Sequence, residues 1–190
     1  MRNEILLTAE KQMMTGGFEN LNFGTIAKEL GTTRANLHYH FKNKESLAIE
    51  VTNNYGQTQF KNFSALAEGY KGNFFGFIQG VEDNFWLQAE ALGTTSICVC
   101  TQMATQNSLP ENLQGLACSF YRKFEELFQS TIQDAIDNGE IRSDLNALRE
   151  ARRSHTIMLG VMTCGQHIGN VAQAKNELSG LLKEWAEGLK

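Results

Sequence analysis

Proline is nearly absent: Pro110 is the single one among 190 residues. Strand-like alternation of apolar and polar side chains is missing over any useful length. These absences favour an all-helical chain, because helix interiors exclude Pro and half-buried strands leave a period of two. No uninterrupted apolar run reaches about 18 residues, which excludes an ordinary membrane-spanning helix. The N-terminus also lacks the apolar core and cleavage site of a signal peptide. The expectation is a soluble cytoplasmic protein with no membrane partner. No glycine-rich phosphate loop, metal-spaced His/Cys set or nucleophile motif is visible. The chain therefore reads as no enzyme, with no cofactor and no metal.

Positive charge is scarce as well. The net charge is −4, which at first argues against a nucleic-acid partner. Its distribution answers that. Residues 1–50 carry 6 Lys/Arg and 6 Asp/Glu, whereas residues 51–190 carry 11 and 15. Between positions 31 and 44 there are Arg34, Lys42 and Lys44 and no acid. The chain thus places a small positive patch on an acidic body. One such patch grips phosphate weakly, so two copies in a dimer are expected.

The same region carries the pattern of two short helices around a glycine turn. Asn22 is suited to cap a helix start. Ile26, Ala27 and Leu30 follow as an apolar stripe, and Gly31 ends the helix where positive φ is needed. Thr33 is placed to cap the next helix. Ala35 is small enough to let helices pass closely, and Leu37 and Phe41 face inward at i,i+4. Arg34, Asn36, Tyr39 and His40 point the other way. Arg can grip guanine, and Asn adenine, through two hydrogen bonds each. Thr, Tyr and His side chains can hold phosphate oxygens. Asn43 is a plausible cap for a further helix, whose first turn holds Lys44. The candidate DNA-binding set is Asn22, Thr25, Thr32, Thr33, Arg34, Asn36, His38, Tyr39, His40, Lys42 and Lys44.

Residues 9–47 resemble the DNA-binding domain of the TetR family of bacterial transcriptional repressors. The resemblance rests on Ala9, Gly17-Phe18, Ile26-Ala27, Gly31-Thr32-Thr33, Leu37, His40-Phe41 and Lys44-Glu45-Ser46-Leu47, with no gaps between them. His38 stands where the family usually has a phosphate-contacting Tyr. Phe23 and Gly24 stand where polar or β-branched residues are common. The resemblance implies an all-α fold: a three-helix helix-turn-helix domain over 1–46, then a larger helical effector-binding and dimerisation domain over 47–190. It also implies a homodimeric repressor on double-stranded, palindromic operator DNA, released by a small apolar or amphipathic effector.

Outside the reading head, glycines and apolar spacing predict helices over 2–15, about 43–67, 74–92, 96–105, 111–138, 145–172 and 175–189. Asp144 is the cap candidate for the helix from 145. Helices 111–138 and 145–172 are assigned to the dimer interface, through Phe120, Phe124, Leu127, Met158, Val161 and Met162. A pocket of Phe63, Phe77, Phe85, Trp86, Met103 and Phe124 is expected, with Gln88, Gln102, His155 or His167 as polar anchors. Four cysteines remain: Cys98, Cys100, Cys118 and Cys164. Cys98 and Cys100 fall two apart in a presumed helix, so their side chains are expected to diverge and not to bridge. A second reading makes Cys98 a sensor of electrophiles or oxidants on the same DNA-binding scaffold. No Lys or Arg between Lys71 and Arg122 is at hand to activate it.

Overall fold

A computed structural model describes the whole chain except Thr105, Asn107 and Ser108, with Ala104 described by its backbone alone. The described residues form ten helices and no strand: α1 (Arg2–Asn20), α2 (Phe23–Glu29), α3 (Arg34–Phe41), α4 (Lys44–Gly69), α5 (Phe74–Leu92), α6 (Val99–Ala104), α7 (Glu111–Asp137), α8 (Ala147–Gly165), α9 (Val171–Leu178) and α10 (Leu181–Glu187). No described helix is long and apolar enough to cross a membrane. The chain divides into two compact units. One comprises residues 1–59 and 98–121, the other 60–97 and 122–190. The boundary expected at 46/47 falls inside α4.

The first unit is built on an apolar centre. Ile5, Ala9 and Met13 of α1 meet Ile26, Leu37 and Phe41 of the helical hairpin, together with Leu47 and Val51 of α4. Val99, Met103 and Leu113 close it from later in the sequence. Helix α1 was expected to stop at the glycine pair. It bends there instead and continues one turn to Asn20, with Gly16 at φ −155° and Gly17 at φ 61°. The bend persists because the Gln106 side chain satisfies its backbone. The amide donates to the Gly16 carbonyl at 3.0 Å and accepts from the Phe18 N–H at 3.0 Å. A Cβ on Gly17 would lie 2.7 Å from that amide, so the position needs glycine for space as well as for φ.

The second unit has two apolar clusters. Phe74, Phe77, Ile78, Ile132, Ala151 and Leu182 make one; Phe85, Trp86, Ile97, Val161 and Ala174 make the other. Several helix limits differ from the expected ones for identifiable reasons. Asn146, not Asp144, caps α8, accepting from the Arg149 N–H at 2.9 Å, while Asp144 pairs with Arg142 at 3.3 Å. Helix α8 ends at Gly165 and does not run to 172. Gly169 takes φ 82°, and Asn170 caps a new helix at the Gln173 N–H. The single helix expected over 175–189 is divided by Gly180, at φ 91°. The Gly180 N–H donates to the buried Glu82 carboxylate. The third expected segment begins late, at Val99, and its far end at Thr105 lies outside the described residues.

Candidate nucleic-acid interface

Helices α2 and α3 build the site, and two caps fix where they start. The Asn22 side chain accepts from the N–H groups of Gly24 (2.7 Å) and Thr25 (3.2 Å). The Thr33 hydroxyl accepts from the Asn36 N–H at 3.2 Å. Each bond satisfies a donor that a helix start leaves open. Leu37 and Phe41 point into the core, so the rest of α3 must face out. Arg34, His38 and Tyr39 are exposed, Tyr39 at 84 %, and His40 is half-buried. Ala35 differs from expectation. It is exposed, so its small size serves clearance on the outer face and not helix packing.

The positions that depart from the usual pattern fit one another. Phe23 packs against the His38 ring, with centroids 4.9 Å apart. The His38 Nδ1–H donates to the Lys42 carbonyl at 2.9 Å, which sets the ring tautomer and ties the end of α3. Gly24 leaves room for the Arg34 guanidinium: a Cβ there would come within 2.2 Å of a terminal nitrogen. Asn36 is half-buried, and its amide donates to the Thr32 hydroxyl at 3.0 Å. It must exchange that bond to read a base. Gln12 is a support that sequence spacing does not flag. It donates to the Thr25 hydroxyl (2.8 Å) and accepts from the Asn22 N–H (2.9 Å), bracing the start of α2 from α1.

The lysines are not equivalent. Lys42 is exposed and holds an uncommon positive φ of 41° at the corner between α3 and α4. Asn43 caps α4, accepting from the Ser46 N–H at 2.8 Å. Lys44 is half-buried. Its Nζ donates to the Glu19 carbonyl at 3.1 Å and sits 4.6 Å above the Phe18 ring. Burial lowers its pKa, and nearby Glu19 opposes the shift.

The proposed pocket residues fall in both units. In the second unit Phe63 meets Phe124 at 5.3 Å, and Phe128 joins Phe63 and the fully buried Phe77 to that group. Phe128 is an addition to the expected set. Phe85 and Trp86 stack edge-to-face at 4.8 Å in the other apolar cluster of that unit. Burial lowers the pKa of His155 in the second unit, against the pull of Glu125. Gln102 and Met103 belong to the first unit, where buried Met103 takes a hydrogen bond from Thr52. A hollow of about 410 Å³ in the first unit is lined by Leu6, Glu10, Val51, Asn54, Tyr55 and Thr58. Burial raises the pKa of Glu10. Of the dimer candidates, Phe120 and Val161 are buried, while Phe124, Leu127, Met158 and Met162 are half-buried.

Cys98 and Cys100 are free thiols. Cys98 lies just before α6, and Cys100 in its first turn. The Thr101 N–H donates to the Cys98 sulfur at 3.4 Å. Hydrogen bonding, from Cys100 foremost, lowers the Cys98 pKa against its burial. The same partnership raises that of Cys100, and burial raises that of Tyr55.

Two capped helices around a glycine turn, with an outward polar face, define a helix-turn-helix motif. Residues 5–51 match the model of the bacterial regulatory proteins of the tetR family, and the chain has the fold of TetR-family transcriptional regulators throughout. A TetR-family regulator from Agrobacterium tumefaciens superposes with a TM-score of 0.85 at 20 % identity, over 96 % of each chain. FadR from Bacillus subtilis, solved with stearoyl-CoA, gives 0.74 at 14 % identity, over 97 % of this chain and 99 % of that one. A regulator from Saccharomonospora viridis, solved with choline, gives 0.69 at 22 %, over 96 % and 95 %. Curated proteins offer no sequence match.

Proposed function

We propose that the protein is a homodimeric, ligand-responsive repressor that binds a palindromic operator and leaves it when a small apolar or amphipathic effector binds. The exposed, acid-free face of α3 between its Thr33 cap and Lys42 carries this reading. A helix of this kind fits the major groove. Arg34 and Asn36 take the base edges. Asn22, Thr25, Thr32, Thr33, His38, Tyr39, His40, Lys42 and Lys44 take phosphate and sugar. Helices α7 and α8 pair with those of a second copy as a four-helix bundle, which spaces two heads for two half-sites. The Bacillus and Saccharomonospora proteins, solved with stearoyl-CoA and choline, support a small-molecule effector for this chain. The aromatic group around Phe63, Phe77, Phe124 and Phe128 supports an apolar one.

The test is a gel shift with the duplex upstream of the protein's own gene at low ionic strength, with and without candidate effectors. A retarded complex that an effector dissolves is the expected result. No retardation of any upstream duplex would remove the reading.

A further inference from the structure

We propose that a hollow between α8 and α10 in the second unit binds an amphipathic anion, a carboxylate or phosphate head on an apolar body, held by Arg149 and Arg153 against Trp185. The inference goes beyond the proposed function. It adds a charged ligand and a place for it, and none of the lining residues belongs to the aromatic group around Phe63 and Phe77.

Helix α8 carries Arg149, Arg152 and Arg153 at i,i+3 and i,i+4, which brings them to one side of the helix. They line a hollow of about 850 Å³, a size that suits a small molecule. Leu148, Ile157 and Trp185 give the same hollow an apolar surface, and no acid is among its described lining residues. This basic lining stands on a stretch, 51–190, that holds 11 Lys/Arg against 15 Asp/Glu.

The three guanidiniums differ in what they have left to give. Arg152 pairs with Glu125 at 2.7 Å. Arg153 donates to one oxygen of Glu150 at 2.9 Å, and the Trp185 indole N–H donates to the other at 3.1 Å. Glu150 is only 2 % exposed, so its buried carboxylate is spent on fixing Arg153 and the indole in place. The indole also meets the ring of buried Phe74 edge-on, with centroids 6.2 Å apart. The wall is therefore formed before any ligand arrives. Arg153 uses one nitrogen on Glu150 and keeps donors for a second acceptor. Arg149 is exposed and has no ion-pair partner among the described residues. Guanidiniums bind carboxylate and phosphate oxygens in pairs, and an indole stacks apolar chain. A neutral ligand leaves Arg149 unanswered. A bare inorganic anion leaves Leu148, Ile157 and Trp185 wet. An anionic head on an apolar body answers both.

The experiment titrates the full-length protein with dodecanoate, dodecyl phosphate and dodecanol, all below their micelle concentrations. Calorimetry on the wild type gives affinity. Fluorescence of a Trp86→Phe variant reports the site, because Trp185 is then the sole indole. Both anions should bind at a single site per chain and change Trp185 emission, and the tighter of the two names the head group. Dodecanol should bind at least about tenfold more weakly, and Arg149→Gln should weaken either anion by about tenfold, as loss of one charge-assisted hydrogen bond does. Added salt should weaken the anions and not the alcohol. Dodecanol binding as tightly as dodecanoate, or Arg149→Gln binding as the wild type does, would overturn the proposal. So would the absence of both heat and emission change, the result expected if a second copy of the chain covers the hollow. These readouts need no DNA, so the outcome is independent of the operator assay.

Discussion

Among single residues, the reading head separates side chains that face out from those that also hold the fold. Lys42→Gln should flatten the dependence of log affinity on log salt by about one unit, as loss of one phosphate contact does, and leave the melting temperature unchanged. Lys44→Ala should flatten the slope and also lower the melting temperature, because its Nζ is bonded to Glu19 and lies over Phe18. Arg34→Ala should relax base choice at one position of each half-site, by about 1–3 kcal/mol in a binding series with altered duplexes. Gly24→Ala should disturb the same position without unfolding the head, since the new methyl meets only the mobile end of Arg34. The pH dependence lies elsewhere. His155 titrates below its ordinary value because it is buried. A lowered imidazole favours folding while neutral; that contribution is lost as pH falls through the unfolded value of about 6.5. The melting temperature should therefore drop as pH falls below about 6.5, and the drop should shrink in His155→Gln.

Helix ends show what sequence can and cannot convey. Asn22, Thr33 and Asn43 cap their helices as their positions suggested, because capping is a local bond between near neighbours. Thr33→Ala should accordingly cost about 1 kcal/mol in denaturant unfolding. The inward pair Leu37 and Phe41 was legible for the same local reason. Contacts between distant segments were not. Gln12 beneath the start of α2 and Gln106 across the α1 bend follow from how helices meet, which spacing alone does not report. Ala35 was misplaced because a small residue suits both close packing and a clear outer face. Asp144 was the expected cap; it pairs with Arg142 instead, and Asn146 caps the helix. Gln106→Ala should release the Gly16–Phe18 backbone and speed amide exchange there, with little change in the second unit.

For the whole molecule, acidic charge and a single small basic patch define the problem that DNA binding must solve. The sequence made this visible in the contrast between residues 1–50 and 51–190, and the exposed face of α3 gives the patch a surface. It did not reveal that residues 98–121 fold with the head, because long-range packing leaves no periodic trace. The aromatic group was only partly legible, since large apolar residues at helical spacing serve a core and a ligand site alike. The most direct test of the account combines binding and stoichiometry in one titration. Fluorescence anisotropy of a labelled duplex from upstream of the gene should be followed across salt concentrations, with the mass of the complex measured alongside. The account predicts two protein chains per site, steep weakening with salt, and a much weaker complex on a duplex bearing one half-site. A single chain per duplex whose affinity ignores both salt and the second half-site would contradict it.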